Sequence, residues 1–239
     1  MTTLLYRRDP YLQECEARVL GHTPEGGIIA DRSIFYPQGG GQPGDSGLLL
    51  WEQGRIAIAT ALRQPGGELV LVPSVPVSLP PKGAQIRQRL DWSRRHRHMR
   101  MHTALHLLSV VIARPVCGGQ IGAGRGWLDF SMTAMARPRV ELEKALNSLA
   151  GQDLRVSESW VSDEELTREP GLATALASRP ATAQGRLRMI SIGEGEGRID
   201  FQPCGGTHVA RTGEIGTILV DRIEEKGRQS RRISLRLDS

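Results

Sequence analysis

Met101-His102-Thr103-Ala104-Leu105-His106-Leu107-Leu108-Ser109-Val110-Val111-Ile112 is the stretch from which the rest of the sequence is best read. Met101, Leu105, Leu108 and Ile112 recur at steps of four, three and four, which predicts a helix with one apolar face. Ser93, upstream, is the expected N-cap. On such a helix His102 and His106 stand four positions apart, just over one turn, so both imidazoles project from the same side. Two nitrogens placed this way can ligate one ion. Taken alone, the pair also fits an ordinary surface or core position.

A second signal lies far downstream at Cys204-Gly205-Gly206-Thr207-His208, where a thiolate and an imidazole can wrap a Gly-Gly turn around the same ion. Together the two stretches use three of the six histidines and complete a His, His, Cys, His set. Tetrahedral zinc accepts that mixture of nitrogen and sulfur ligands.

Around this core the chain divides in character. The stretches 16–20, 27–30, 48–51, 55–59 and 68–72 are short strand candidates punctuated by Gly and Pro. Between them runs Tyr36-Pro37-Gln38-Gly39-Gly40-Gly41-Gln42-Pro43-Gly44-Asp45, a pattern that no helix or central strand tolerates. It reads either as a surface loop or as a place where backbone approaches a ligand. The stretch 72–83 holds Pro73, Pro76, Pro80 and Pro81 and is the expected linker and domain boundary. Beyond it, 140–149 is a second helix candidate and 163–169 opens a third, while 215–220 and 233–237 alternate as strands. Leu128-Asp129-Phe130 and Ile199-Asp200-Phe201 echo one another as two similar strand ends. The second half is therefore α+β, with helices on a largely antiparallel sheet.

Charge is uneven. The formal net charge is only +5, yet six Arg, two His and one Asp fall between Arg87 and Arg100, and five basic residues with no acid fall between Lys226 and Arg236. These are either solvated faces or contacts to a polyanion. Aromatic residues make up 4%, which argues against a module that binds single strands by stacking bases. Cys15, Cys117 and Cys204 are too few and odd in number for a disulfide framework. With no run long and apolar enough for a membrane span and no signal-peptide core, the expectation is a cytosolic (cytoplasmic) protein without a membrane partner.

The two metal-ligand stretches resemble the zinc signature of the alanyl-tRNA synthetase editing domain and its free-standing AlaX relatives. Asp91-Trp92-Ser93-Arg94-Arg95-His96-Arg97-His98-Met99-Arg100-Met101, Gly119-Gln120-Ile121-Gly122, Leu128-Asp129-Phe130, Thr212-Gly213-Glu214-Ile215-Gly216 and 226–233 follow the family's order. Residues 35–45 are similar to the glycine motif of its longer forms. One departure stands in the basic C-terminal turn. The family often has Lys-Gly-Lys-Gly-Asn-Arg-Arg-Ile, and this chain has Lys226-Gly227-Arg228-Gln229-Ser230-Arg231-Arg232-Ile233.

The resemblance implies a small β-barrel-like, glycine-motif domain over residues 1–85, followed over 86–239 by a two-layer α+β editing (deacylase) domain with an antiparallel sheet. It implies zinc on His102, His106, Cys204 and His208, and hydrolysis in trans of serine, or glycine, from mischarged alanine tRNA, since no stretch resembles an aminoacylation domain. By family position Thr103 and Gln120 are catalytic or substrate-pocket residues near the metal, and the glycine loop with Gly39, Gly40 and Gly41 is expected to close over that pocket. As members of the basic clusters, Arg94, Arg95, Arg97, Lys226, Arg231 and Arg232 are the expected tRNA contacts. With four protein ligands, the shell expands to five, the cysteine binds weakly, or the ion orients the amino acid rather than activating water. A zinc hydrolase of another aminoacyl ester and a non-catalytic zinc-containing RNA-binding module are the alternative readings.

Overall fold

Alternating burial explains the N-terminal strands. In Gln85–Leu90 the side chains of Ile86, Gln88 and Leu90 turn inward while Gln85, Arg87 and Arg89 face water, the period of two of a half-buried strand. The computed structural model describes residues 2–76, 78–135, 137–162, 165 and 186–238. The first unit, Met1–His98, holds β1 (Thr3–Leu4), β2 (Glu14–His22), β3 (Ile28–Ala30), β4 (Arg32–Ser33), β5 (Gly47–Trp51), β6 (Gly54–Arg63), β7 (Leu69–Pro73) and β8 (Gln85–Leu90). Six of these close into a barrel in the order β2-β3-β7-β6-β5-β8, and β1 pairs in parallel with β4.

Ile28, Ile34, Phe35, Leu49 and Leu71 sit in the core of this unit at 0% exposure. Strand β6 changes inward parity between Ile58 and Ala61 because a bulge interrupts its register with β7. Gln88 is a polar residue in this interior, and its amide is satisfied. Its Oε1 accepts from Ser33 Oγ at 2.9 Å and Ile34 N at 3.2 Å, and its Nε2 donates to Arg32 O at 2.7 Å.

The glycine stretch folds as a tight hairpin tip. Gly39 and Gln42 exchange backbone hydrogen bonds at 3.0 and 2.9 Å, and the two residues between them, Gly40 and Gly41, take φ of +56° and +78°. Two successive positive φ values are what a type I′ turn requires, and glycine adopts them without strain. At the base of the hairpin Asp45 N donates to Tyr36 O at 3.0 Å, and Tyr36 N donates to the Asp45 carboxylate at 2.5 Å. The same carboxylate is paired with Arg95, whose side chain is 0% exposed. The Arg95 guanidinium also donates to Pro10 O at 2.8 Å and Ile34 O at 2.7 Å.

The boundary differs from the expected one. The proline-rich stretch joins two barrel strands, because β8 pairs with both β2 and β5, and the two units divide after His98. The second unit, Met99–Ser239, contains β9 (Val116–Ile121), β10 (Arg125–Ser131), β11 (Val156–Ser162), β12 (Arg186–Ile192), β13 (Asp200–Pro203), β14 (Ile218–Glu225) and β15 (Ser230–Leu237). They form two antiparallel sheets, β14-β15-β10-β9 and β11-β12-β13. The two described α-helices are α1 (Trp92–Ile112) and α2 (Arg139–Gly151).

Helix α1 departs from the expected one-sided pattern: every residue of 101–108 is buried. A stretch buried on every side belongs to a core helix rather than a surface one, even though here it includes the polar His102, Thr103 and His106. It approaches the larger sheet closely at Gly126, where a Cβ would meet the Met101 side chain at 2.8 Å. Its N-terminus is capped by Asp91, whose Oδ1 accepts from Arg94 N at 3.0 Å, not by Ser93, which lies inside the helix. Helix α2 buries Leu142, Leu146 and Ala150, and Asn147 bonds both backbone groups of Ile218 on β14, at 2.9 and 2.7 Å. The strand expected from residue 215 begins at Ile218, after a short 3-10 turn. Apart from Glu165, the helix expected at 163–169 lies outside the described residues. No described helix is long and apolar enough to cross a membrane.

The Asp45–Arg95 pair yields a test. Asp45→Ala leaves a fully buried guanidinium without its counter-charge, a change that costs about 3–5 kcal/mol. Urea unfolding is expected to show that loss as a lowered midpoint. A midpoint within error of the parent would show that the pair does not hold the base of the glycine hairpin.

Candidate metal centre

The helical spacing of four brings His102 and His106 together, with ring centroids 5.3 Å apart. The chain leaves β13 at Pro203 and turns through 204–208, which brings Cys204 and His208 against them. The His208 ring centroid lies 4.2 Å from that of His102 and 4.7 Å from that of His106. Cys204 Sγ stands 3.4 Å from His102 Nε2 and 3.3 Å from His208 Nε2. One donor atom from each of the four buried residues lies within 4.8 Å of the others.

Two of the imidazoles are held in a defined tautomer. Thr103 Oγ1 donates its proton to Met99 O at 3.0 Å and accepts from Val209 N at 3.3 Å. His208 Nδ1, 3.2 Å from the same oxygen, must then carry the proton, and the Nε2 lone pair is directed at Cys204. His106 Nδ1 lies 2.7 Å from Asp200 Oδ2, and Gln202 Nε2 donates to that carboxylate at 3.0 Å. A carboxylate on the far nitrogen of an imidazole orients it as a metal ligand and raises its basicity.

The electrostatics follow from burial and crowding. Burial raises the Cys204 thiol pKa, but the neighbouring His102 and His208 and the hydrogen bonds to its sulfur outweigh it and bring it well below the usual value. Burial, and then the charge of His102, push His208 well down, which keeps it neutral. Burial also lowers His106, yet its bonds to Asp200 and Cys204 prevail and raise it to about 10. On the side chains alone, a proton at His106 sits between the Cys204 thiolate and the Asp200 carboxylate and offsets one of their two negative charges.

The donor set fits a divalent metal. A tetrahedral ion with ordinary Zn–S and Zn–N bonds spaces sulfur and nitrogen about 3.5 Å apart, close to the two distances at Cys204.

The other expected site residues lie in different surroundings. Thr103 is 0% exposed, and its hydroxyl is shared among Met99 O, Val209 N and His208 Nδ1. Gln120 is not with the four ligands. It is exposed on β9 and lines a groove of about 370 Å³ with Trp127, Arg222 and Arg232. The glycine tip, Gly39, Gly40 and Gly41, is exposed within the first unit. Arg95 cannot serve as the expected tRNA contact, since its guanidinium is buried on Asp45. Arg94 is half-buried, and Arg97 is exposed with Nε on Ser93 O at 3.2 Å.

In the β14–β15 hairpin Arg231 pairs with Glu225 at 2.6 Å. Arg232 takes Asp129 through two bonds of 2.8 and 2.9 Å while lying 3.3 Å over the Trp127 ring. Lys226 is exposed, 3.9 Å from Glu224. Sequence reading missed Asp200 and Gln202 as partners of His106. The Ile199-Asp200-Phe201 echo was the available signal, and it pointed only to a strand.

Metal binding should depend on both the ligands and their supports. His106→Ala is expected to abolish stoichiometric metal, and Asp200→Asn to weaken affinity about 10–100-fold, read by metal analysis and chelator competition. Binding also displaces the His106 proton, so below pH 10 affinity should fall about tenfold per pH unit for that proton alone. Equal metal content in His106→Ala and the parent would remove the site.

The family model described as "Threonyl and Alanyl tRNA synthetase second additional domain" matches residues 187–234, which include Cys204 and His208. Alanyl-tRNA editing protein AlaX-M of Methanosarcina acetivorans is 34% identical, over 98% of this chain and 98% of its own. Alanyl-tRNA editing protein AlaX-L of Pyrococcus horikoshii is 30% identical over 98% of this chain and 57% of its own. The alanine–tRNA ligase of Korarchaeum cryptofilum is 36% identical over 92% of this chain, which spans 24% of that ligase. With the buried His, His, Cys, His cluster on its helix and turn, and an end-to-end match at this identity, the chain belongs to the AlaX family of alanyl-tRNA editing proteins.

Proposed function

We propose that this chain hydrolyses the ester joining serine to the terminal ribose of mischarged alanine tRNA, acting in trans with a zinc ion on His102, His106, Cys204 and His208. Family membership supports aminoacyl-tRNA deacylation, and the match to AlaX-M over 98% of both chains supports trans action. The observation that carries the metal part is the convergence of four buried donor atoms within 4.8 Å. When bound, zinc supplies Lewis-acid polarisation of an ester carbonyl and of water. Around it Asp200 holds the proton at His106 Nδ1, and Thr103 accepts the proton at His208 Nδ1, so both rings keep their orientation.

In this reading the barrel unit carries the glycine hairpin and the second unit is the deacylase domain. Gln120 and the glycine tip, Gly39, Gly40 and Gly41, are proposed to contact the acceptor end of the tRNA. Arg97 and Lys226, both exposed, are the stronger phosphate contacts. Arg94, Arg231 and Arg232 are secondary contacts, because the last two already pair with Glu225 and Asp129. Free thiols at Cys15, Cys117 and Cys204 support a reducing, cytoplasmic setting.

A second reading is a non-catalytic zinc module in an RNA-binding protein. The burial of all four ligands favours it, since closed four-ligand shells are typical of structural zinc. Deacylation separates the two. Alanine tRNA charged with serine, glycine or alanine is followed for release of the amino acid, with Cys204→Ala as the inactive control. A site that bonds the serine hydroxyl can reject alanine by about 10⁴–10⁵. Serine should therefore be lost fastest, alanine spared, and glycine accepted only through its amino group. Equal loss of serine and alanine would defeat the proofreading reading, and no loss of any would favour the non-catalytic module.

Salt dependence tests the RNA contacts. Each neutralised phosphate contributes a slope of about −0.7 to −0.9 in log affinity against log salt. Arg97→Glu with Lys226→Glu should flatten that slope, whereas an unchanged slope would remove these two residues from the interface.

A further inference from the structure

Arg188 on β12 is 8% exposed, a buried charge that the metal ligands themselves do not require. Its Nη1 donates to Cys204 O at 3.0 Å and to Gly206 O at 2.8 Å. Its Nε and Nη2 both reach Glu158 Oε2 on β11, at 2.7 and 2.6 Å. One guanidinium thus ties strand β11 to two carbonyls of the turn that carries Cys204 and His208.

The sheet explains why a side chain is needed there. The β12–β13 ladder ends at Met189 opposite Pro203, with one further bond from Cys204 N to Arg188 O at 3.2 Å. Beyond it the chain leaves the sheet for a turn in which Cys204, Gly206, Thr207 and His208 are buried. The Cys204 and Gly206 carbonyls face Arg188 and take their bonds from it. A buried carbonyl without a donor costs free energy comparable to a lost hydrogen bond, so the turn would rearrange to find one. Gly205 and Gly206, lacking side chains, leave the turn free to do so.

We propose that Arg188 is a positioning residue that fixes the Cys204–His208 turn and thereby sets the affinity and geometry of the metal site. It rests on the metal reading above and adds to it a determinant outside the ligands. The guanidinium fork serves three acceptors at fixed angles, which a lysine ammonium on a flexible stem does not reproduce.

The test uses the full chain with cobalt(II) and zinc(II) as probes. Cobalt absorption reports thiolate coordination and site symmetry, and chelator competition reports zinc affinity. Arg188→Gln is expected to bind zinc about 10–100-fold more weakly than the parent, with an altered cobalt spectrum. Arg188→Lys should behave like Arg188→Gln. Leu146→Ala, a core truncation in α2, should lower the unfolding midpoint yet keep parental zinc affinity and cobalt spectrum, which separates positioning from general stability. Zinc affinity within twofold of the parent and an unchanged cobalt spectrum in a folded Arg188→Gln or Arg188→Lys protein would overturn the proposal. A parent protein that binds neither ion would instead defeat the metal reading itself.

Discussion

Four electron-rich atoms crowded into one buried space are the constraint on which the rest of the structure depends. Cys204 Sγ faces two imidazole nitrogens at 3.4 and 3.3 Å, well inside the protein. Such an arrangement holds together only if protons or a cation sit among the atoms. The surroundings direct the protons outward: Thr103 takes the one on His208 and Asp200 takes the one on His106. Once the His106 proton that faces Cys204 is displaced, what remains in the centre is a set of lone pairs suited to a divalent ion.

The same principle recurs where a guanidinium is buried away from that centre. Arg95 joins Asp45 at the base of the glycine hairpin, and Arg188 joins Glu158 beside the Cys204–His208 turn. In both places a guanidinium also serves backbone carbonyls of segments that leave regular structure. Breaking the fully buried Arg95–Asp45 pair by removing one partner is far more costly than that pair's net contribution to stability. Each is better understood as holding an irregular segment in one conformation than as a source of stability.

Much of this was legible in local spacing. The four-residue step from His102 to His106 and the Cys204–His208 turn each carry their own geometry, and the alternating strands announced most of the barrel. What escaped were partners distant in the chain. Asp200 meets His106 across 94 positions and Arg95 meets Asp45 across 50, distances over which no periodicity speaks. For that reason Arg95 read as a phosphate contact from its basic neighbours. The proline-rich stretch read as a linker because proline content marks stiffness, while strand pairing, which put β8 in the barrel, is a long-range property. Ser93 and Asp91 both suit an N-cap, and only the observed bond to Arg94 N separates them.

The central claim is that His102, His106, Cys204 and His208 together hold one zinc ion. X-ray absorption at the zinc edge of the loaded protein tests it directly, because it reports which atoms surround the ion and at what distance. The account predicts one sulfur at about 2.3 Å and nitrogen ligands at about 2.0–2.1 Å, with the sulfur contribution lost in Cys204→Ala. A shell made of oxygen and nitrogen alone, or one unchanged by Cys204→Ala, would contradict it.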